Sequence, residues 1–266
     1  MATIMIYRMT AREFSPERVR AAAKLFGLRA EVADSPGGAV VHDERRVLAV
    51  GAPCGRQPGV LMYTNTGVGL GDLCESPLAP DDATKSAMAL LSELDLLPKK
   101  RDDDRTRIEL TPSASVTEAV LFDGRERRRV PARTDFRARV RINDLPVDGP
   151  RTRIRAAFHA EPEPISLYAA TWEEIEPYEE VELVREHEVL GALEKSLRGR
   201  ADCGSSIRVH NLKLAYVADD FRGTPDLLAP AYLIEIEGPA PRTDGRSARP
   251  ETPRQLVRLP AWRTAL

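Results

Sequence analysis

The chain has 266 residues, of which 42% are hydrophobic, 30% charged and 5% aromatic, a composition typical of a soluble globular protein with one large domain or two small ones. Its 39 Lys and Arg residues nearly balance its 41 Asp and Glu residues, so the charge of the whole molecule attracts neither nucleic acid nor an anionic membrane. These figures exclude a strongly basic nucleic-acid-binding protein, but they allow a local basic patch.

The N-terminal segment contains only a short apolar stretch, residues 4–6, which Arg8 soon follows. A signal peptide needs a longer apolar core, and a transmembrane helix needs about 20 apolar residues. No other window of the sequence is long and apolar enough to cross a bilayer. We therefore expect a cytoplasmic protein that does not insert into a membrane.

The first hundred residues predict two helices around a set of short strands. Ser15 is a suitable N-cap, Pro16 suits the first helical position, and Gly27 suits the end of the first helix. A second helix is predicted over residues 81–94, before Pro98. Short apolar runs between Gly- and Pro-rich turns predict strands at residues 39–41, 46–50 and 60–63. This order favours a helix packed on an antiparallel sheet.

The middle of the chain alternates apolar residues with arginines, over residues 136–142 and again over 151–158. Such alternation predicts strands with one buried and one exposed face. Residues 143–150 join the two strands and are rich in turn formers, which predicts an antiparallel hairpin with a longer loop. One face of this hairpin then carries Arg137, Arg139, Arg141, Arg151, Arg153 and Arg155.

The last third predicts a helix over residues 186–197 and strands over residues 206–217 and 231–237. Beyond residue 238 the chain is rich in Pro and Arg, and we expect this tail to be largely irregular. The predicted fold class is therefore α+β, with two related halves in which a helix packs across a curved antiparallel sheet. The predicted domains are an N-terminal half (1–100), a C-terminal half (101–238) and the tail (239–266).

Three segments of the chain carry a resemblance to known domains. They are a short helix ending in Leu-Phe-Gly-Leu within residues 14–28, the turn Asn-Asp-Leu-Pro-Val-Asp-Gly-Pro at residues 143–150, and residues 212–238, which contain Leu-Lys-Leu-Ala-Tyr and Ala-Tyr-Leu-Ile-Glu-Ile-Glu-Gly. These segments resemble PepSY-type domains and the YycH/YycI-type regulators of bacterial sensor kinases, which are built from paired α+β units. The resemblance implies a non-catalytic role in which the protein binds, inhibits or regulates a partner. Those families are usually exported or membrane-tethered, unlike the location expected for this chain.

The six arginines on one face of the predicted hairpin, which we call the arginine stripe, repel one another, since like charges face each other on paired strands. Their repulsion needs compensation, for which there are three interpretations. The first is an intramolecular charge ladder with the acidic run formed by Glu173, Glu174, Glu176, Glu179, Glu180 and Glu182. The second is a binding site for an anionic ligand or an acidic protein partner. The third, nucleic acid, is disfavoured because no aromatic residue is interleaved with the arginines to stack on bases.

Other motifs indicate neither a metal nor a cofactor. The glycines within residues 67–71 lack the spacing of a phosphate-binding loop, so they predict a flexible hairpin loop. Cys54, Cys74 and Cys203 are odd in number and lack CxxC spacing, which argues against a disulfide framework and a zinc site. No pair of histidines has metal-ligand spacing. We therefore predict a protein that uses neither.

His210 is the histidine with the most informative context. It shares the alternation of Leu212, Leu214 and Tyr216, which predicts that its side chain faces the core or a cleft. The catalytic interpretation pairs it as a base with a nearby Ser or Cys nucleophile. A structural histidine is the simpler interpretation.

From these features we predict a non-catalytic cytoplasmic binding or regulatory protein, which uses a concave antiparallel sheet surface for a protein partner or a small hydrophobic or anionic ligand. The alternative is a cofactor-independent enzyme of the cyclase or isomerase type, which shapes a hydrophobic metabolite in an apolar pocket. The Ala- and Arg-rich composition is typical of GC-rich coding and suits a biosynthetic role for that alternative. The candidate binding residues are Arg137, Arg139, Arg141, Arg153, Arg155, Trp172, His210, Tyr216 and Tyr232, the last four as residues of the pocket.

Overall fold

A computed structural model describes residues 2–29, 33–35, 37–53, 59–69, 72–97, 99, 106–122, 127–149, 152–198, 208–218, 226–237 and 254–263. Within these residues the chain forms fourteen strands and three helices. The strands are β1 (Thr3–Ala11), β2 (Ala33–Ser35), β3 (Gly38–His42), β4 (Arg46–Gly51), β5 (Val60–Asn65), β6 (Ile108–Phe122), β7 (Arg127–Ile142), β8 (Leu145–Asp148), β9 (Ile154–Phe158), β10 (Pro164–Ala170), β11 (Trp172–Glu182), β12 (Arg208–Val217), β13 (Leu227–Glu237) and β14 (Arg254–Pro260). The helices are α1 (Pro16–Leu25), α2 (Pro80–Glu93) and α3 (Glu186–Arg198).

Strands dominate this fold, so the prediction of two related α+β halves, each a helix across a curved antiparallel sheet, is wrong. The error has a physical source in strands such as β6 and β11. Among the described strands, β6 pairs only with β7, and it exposes most of its side chains. β11 carries the acidic run and exposes four consecutive residues. Neither strand has the sustained apolar alternation that marks a strand with one buried face.

Contacts divide the chain into two units that interleave along the sequence. We call residues Met9–Ile175 the central unit, and residues Met1–Arg8 together with Glu176–Leu266 the terminal unit. The predicted domains are consecutive segments instead, with boundaries after residues 100 and 238.

The sheet of the central unit is organised around β7. β6 pairs along its length, β8 pairs with Arg141 and Ile142, and β9 pairs with the segment 134–138. From β9 the sheet continues in the order β10, β5, β4, β3 and β2, with each of these neighbours antiparallel. The predicted pairing of the two arginine-rich segments is confirmed as the pairing of β7 with β9.

Both helices of the central unit pack on one face of this sheet. Ser15 caps α1 by accepting a hydrogen bond from the Arg18 backbone N–H, and Pro lies in the first turn, as the sequence predicts. Buried residues of α1 and α2 join residues of β7, β9 and β10 in one apolar core, including Ala22, Ala83, Leu91, Phe136, Phe158 and Leu167. We call the opposite side of this sheet the open face.

The terminal unit has its own apolar core, and its strands are organised around β13. β13 pairs with β1, β12 and β14, and Tyr232, Ile234 and Ile236 of β13 pack against Val189 and Leu193 of α3. The expectation of a largely irregular tail is wrong for residues 254–260, which form β14 against β13, and Trp262 beyond it is 1% exposed. Residues 238–253 lie outside the described residues. Throughout the described part of the chain, no helix combines the length and the apolar character that crossing a bilayer requires.

Candidate functional site

The open face of the central sheet carries the arginines singled out in the sequence. Along β7, Phe136 and Ala138 point into the core, so the alternate residues Arg137 and Arg139 lie on the open face. On β9 the same alternation buries Ile154 and Ala156 and exposes Arg155. We define the arginine face as Arg137, Arg139, Arg141, Arg153 and Arg155; Arg151 lies outside the described residues.

Strand register places these arginines directly against one another. Arg137 of β7 lies opposite Arg155 of β9, and Arg155 lies opposite Tyr168 of β10. Tyr168 in turn lies opposite Met62 of β5. We call these four residues the arginine row. Cross-strand neighbours have Cβ atoms only about 4.5–5.5 Å apart. Two arginines, then Tyr168, then Met62 therefore lie side by side across four neighbouring strands.

Four of the five arginines have no ionic partner within the described part of the chain. Arg141 donates a hydrogen bond to the Asp144 carbonyl oxygen, whereas Arg137, Arg139, Arg153 and Arg155 are exposed and make no salt bridge there. Asp135, the acid on the same strand, is engaged by Arg133, whose Nε lies 2.8 Å from Asp135 Oδ1, and by the Thr117 hydroxyl. Glu109 of β6 lies opposite Arg141 and is paired with Arg107. The other four arginines therefore form an excess of local positive charge on a protein whose formal net charge is −2.

Among the described residues, Arg137, Arg139, Arg153 and Arg155 form no charge ladder with the acidic run. Glu173 binds Arg18 and Lys99, and its Oε2 lies 3.3 Å from Arg12 Nη1. Elsewhere in the run, the Glu180 carboxylate accepts a hydrogen bond from Thr3 and the Glu182 carboxylate pairs with Arg263. Glu173 and Glu182 thus have cationic partners outside the arginine face.

Glu173 is the centre of a second group of charges, which we call the Glu173 cluster. It consists of the buried Arg12, the half-buried Glu173 and the more exposed Arg18, Asp95 and Lys99. The guanidinium of Arg12 is 1% exposed, and it donates hydrogen bonds to the Thr171 hydroxyl and to the Asp95 and Trp172 carbonyl oxygens. The hydrogen bond from Arg18 is the main cause that lowers the pKa of Glu173 to about 2, with Lys99 and Arg12 adding to it against the opposing effect of burial. This cluster holds segments of the central unit together.

The aromatic candidates are buried, and Tyr232 also lines a cavity of the terminal unit. Trp172 is buried at the start of β11 in the central unit. Tyr216 is buried in the terminal unit edge-to-face with Tyr7, at 5.3 Å between ring centroids, and burial raises the pKa of its hydroxyl. Tyr232 is buried as well, and its hydroxyl donates a hydrogen bond of 2.9 Å to the Val184 carbonyl oxygen.

His210 does not face a core or a cleft. The register of β12 shifts between Val209 and Asn211, so His210 is the extra residue of a β-bulge. The bulge breaks the alternation that continues through Leu212 and the residues after it. His210 is consequently exposed, with Nε2 2.6 Å from Glu237 Oε2.

Three cavities lie away from the arginine face. The smallest of them, of about 400 Å³, is in the central unit and is lined by Phe14, Val19 and Val50 among others. The remaining two are larger. One, of about 750 Å³, is in the terminal unit and is lined by Leu183, Leu190 and Tyr232 among others, with charged residues such as Arg185 and Glu186 around them. The other, of about 450 Å³, is polar and lies in the central unit beside Gly67 and Glu163. Residues 70 and 71 of the glycine-rich loop lie outside the described residues, as do Cys54 and Cys203.

Comparisons with known proteins show the fold alone. No protein-family model and no curated protein sequence matches the chain. A solved structure, described as the crystal structure of an uncharacterized protein from Eubacterium rectale ATCC 33656 at 1.45 Å resolution, is similar to 98% of this chain and 84% of its own, with 12% sequence identity and a TM-score of 0.54. The resemblance to PepSY-type and YycH/YycI-type domains stays a prediction.

Sequence reasoning missed Tyr168 and Met62. Both lie on strands with little alternating signal, and neither is close in sequence to the arginines. Their place beside Arg155 follows from the pairing of β9 with β10 and of β10 with β5, which no local pattern specifies.

Proposed function

We propose that the protein is a non-catalytic cytoplasmic binding or regulatory protein, and that its arginine face binds an anionic ligand or an acidic protein partner. One observation carries the proposal: four exposed arginines of the described chain have no ionic partner, although Arg137 lies directly opposite Arg155. Opposed like charges weaken a sheet, so this arrangement costs stability in the isolated protein. A bound anion relieves that repulsion and gains charge-assisted hydrogen bonds from the guanidinium groups.

The implied non-catalytic role of PepSY-type and YycH/YycI-type domains agrees with this proposal. The placement of Arg137 opposite Arg155 supports binding more than the lack of ionic partners does, because water solvates a single exposed arginine, whereas two opposed arginines repel. Arginines that hold this unit together, such as Arg12 and Arg18, are paired with carboxylates. Steering of an acidic partner by the arginine face requires no net positive charge on the whole molecule, since local charge controls association at short range.

The test compares two double variants with the same change of charge. Binding of inorganic tripolyphosphate and of a poly-glutamate peptide is measured by calorimetry at low ionic strength for the wild type, for R137Q/R155Q and for R20Q/R45Q. Arg20 and Arg45 are exposed and lie outside the arginine face. We expect R137Q/R155Q to weaken binding of at least one probe by about tenfold or more, which corresponds to about 1.4 kcal/mol, and R20Q/R45Q to leave it within about twofold. Equal losses in both variants, or no binding by the wild type, overturn the proposal.

A second candidate function, a cofactor-independent cyclase or isomerase, is favoured by the cavity of about 750 Å³ in the terminal unit. Its volume is within the range of about 300–1,000 Å³ typical of small-molecule sites. Tyr232 shapes its wall and does not supply a free hydroxyl, because that hydroxyl is bonded to Val184. Native mass spectrometry of protein purified from its own host tests this function: a retained stoichiometric metabolite, released by Leu190→Arg at the cavity, supports it, and a ligand-free protein contradicts it.

A further inference from the structure

The arginine row ends in an apolar surface. Beyond Arg155 it continues to Tyr168, which is half-buried, and to Met62, which is 44% exposed. Neighbouring strands are about 4.8 Å apart, so the row from Arg137 to Met62 spans three strand spacings, or about 14 Å. Positive charge therefore occupies one end of a short surface and a thioether with an aromatic ring occupies the other.

We infer that the partner of the arginine face is a protein segment that carries several carboxylates and, within about 14 Å of them, a large apolar side chain that packs on Tyr168 and Met62. This inference rests on the proposed function and adds the class of partner. The carboxylates pair with Arg137 and Arg155, and the apolar side chain covers the exposed methionine beside them.

The form and composition of the surface favour a protein over a small anion. Small ligands bind in concave sites, and no residue of the arginine row lines any of the three cavities described above. Protein interfaces are enriched in Arg, Tyr and Met and depleted in Lys. All cations that the described strands β5, β7, β9 and β10 place on the open face are arginines, and the two other members of the row are Tyr and Met.

The same surface is poorly suited to single-stranded nucleic acid. Sequence-tolerant binding of single strands uses several aromatic side chains, on which successive bases stack. Among the described residues of the open face on β5, β7, β9 and β10, Tyr168 is the sole aromatic residue, because Tyr63, Phe136 and Phe158 belong to the core. A single aromatic ring can stack on one base only, whereas the four arginines without an ionic partner can bind several carboxylates.

The size of the face agrees with a transient contact. Seven neighbouring strands, from β6 to β3, span about 29 Å, and five residues of each strand cover about 17 Å, which gives a projected area of about 500 Å². Stable interfaces bury about 800 Å² on each partner, and smaller ones are typical of transient signalling contacts. We therefore expect a micromolar affinity that depends on both ends of the row.

The test uses two unlabelled synthetic peptides of equal length and charge, one made of Glu and Ser only, and the other with one central Ser replaced by Leu. Their affinities are measured by calorimetry at low ionic strength, beside inorganic tripolyphosphate and an oligothymidylate of equal length. We expect the leucine-containing peptide to bind the wild type about tenfold more tightly than the glutamate–serine peptide, since burial of one leucine is worth at least that factor.

Single substitutions test whether the tighter binding of the leucine-containing peptide depends on the arginine row. Met62→Ser is expected to remove most of the leucine advantage and to leave the affinity for the glutamate–serine peptide unchanged. Leu73→Ser is the matched control, because Leu73 is also 44% exposed and lies outside the open face. Tyr168→Phe retains the ring and is expected to keep the advantage, which separates loss of contact from loss of folding.

The outcomes separate this inference from the proposed function. If neither peptide nor tripolyphosphate binds, the proposed function fails. If the two peptides bind equally and both depend on Arg137 and Arg155, the proposed function stands and the partner class is wrong. Tighter binding of tripolyphosphate or of the oligothymidylate than of either peptide also overturns the partner class, in favour of a small phosphate or of nucleic acid respectively.

Discussion

The central unit contains two groups of arginines whose surroundings are opposite. In the Glu173 cluster, Arg12 and Arg18 share Glu173 and Asp95 and donate further hydrogen bonds to backbone oxygens. On the arginine face, Arg137 and Arg155 face each other on neighbouring strands without a carboxylate in the described part of the chain.

The difference shows how structural and binding arginines can be distinguished. A buried cation must be paired, because leaving it without an anion costs several kcal/mol. An exposed cation has no such requirement, since water solvates it, so its pairing is free to be made with another molecule. The Glu173 cluster, which surrounds the buried Arg12 guanidinium, is thus tied to stability, and the arginine face is tied to recognition.

The largest expected effect follows from Glu173→Gln. This change leaves the buried Arg12 guanidinium without its nearest carboxylate, and removing one partner of a buried pair costs about 3 kcal/mol or more in free energy of unfolding. Urea denaturation measures the change. Glu174→Gln, at the exposed neighbouring position, is the control and is expected to stay within about 0.5 kcal/mol of the wild type. Equal effects at the two positions would remove the distinction.

The pH dependence of the same variant gives the next effect. Folding lowers the pKa of Glu173 from its ordinary value of 4.5 to about 2, so its stabilising contribution is complete above about pH 4.5 and is lost as the pH falls towards 2. We expect the difference in unfolding free energy between the wild type and Glu173→Gln to shrink between pH 7 and pH 3. A difference that is independent of pH over this range would show that ionisation of Glu173 does not stabilise the cluster.

On the arginine face, removing a charge is expected to stabilise the protein, and the change in the free energy of unfolding is smaller than for Glu173→Gln. Arg137→Gln removes one of two opposed guanidinium groups and is expected to raise the free energy of unfolding by about 0.2–1 kcal/mol at low ionic strength. Arg20→Gln on α1 provides a control with the same loss of charge. Destabilisation by Arg137→Gln, beyond that of the control, would assign Arg137 to the structural group.

The smallest expected effect is the salt dependence of the change in unfolding free energy, which is specific to charge repulsion. In 1 M NaCl the screening length falls to about 3 Å, so repulsion between Arg137 and Arg155 is largely screened. The gain from Arg137→Gln should then fall by half or more, while the loss from Glu173→Gln should change less, because the Arg12 guanidinium beside Glu173 is buried. Urea titrations of both variants at low and high salt measure this. A gain that persists unchanged in 1 M NaCl would have a source other than charge.

Local patterns predict the helices and several strands of this fold. Ser15, Pro16 and Gly27 correctly bracket α1, and the arginine alternation correctly predicts that one face carries the charge, because period and caps depend on neighbours in sequence. The overall architecture does not follow from these patterns. The pairing of Tyr7 in β1 with Leu228 in β13, for example, joins residues more than two hundred positions apart.

The candidate site was predictable in part for the same reason. The alternation of arginines with apolar residues marks the arginine face in the sequence. The ion pairs of the acidic run instead depend on which cations lie near β11 in the folded chain, where Glu173 lies beside Arg12, Arg18 and Lys99. His210 shows a further limit, since a single inserted residue changes the direction of a side chain without leaving a signal in composition.

The most direct test of the account measures stability and binding on one variant, Arg137→Gln/Arg155→Gln. If the arginine face serves binding and not folding, the two quantities change differently in this variant. The free energy of unfolding at low salt stays the same or rises, while the affinity for the acidic peptide falls by about tenfold or more. A variant that loses stability and keeps its affinity would contradict the account, because it would place these arginines among the residues that maintain the fold.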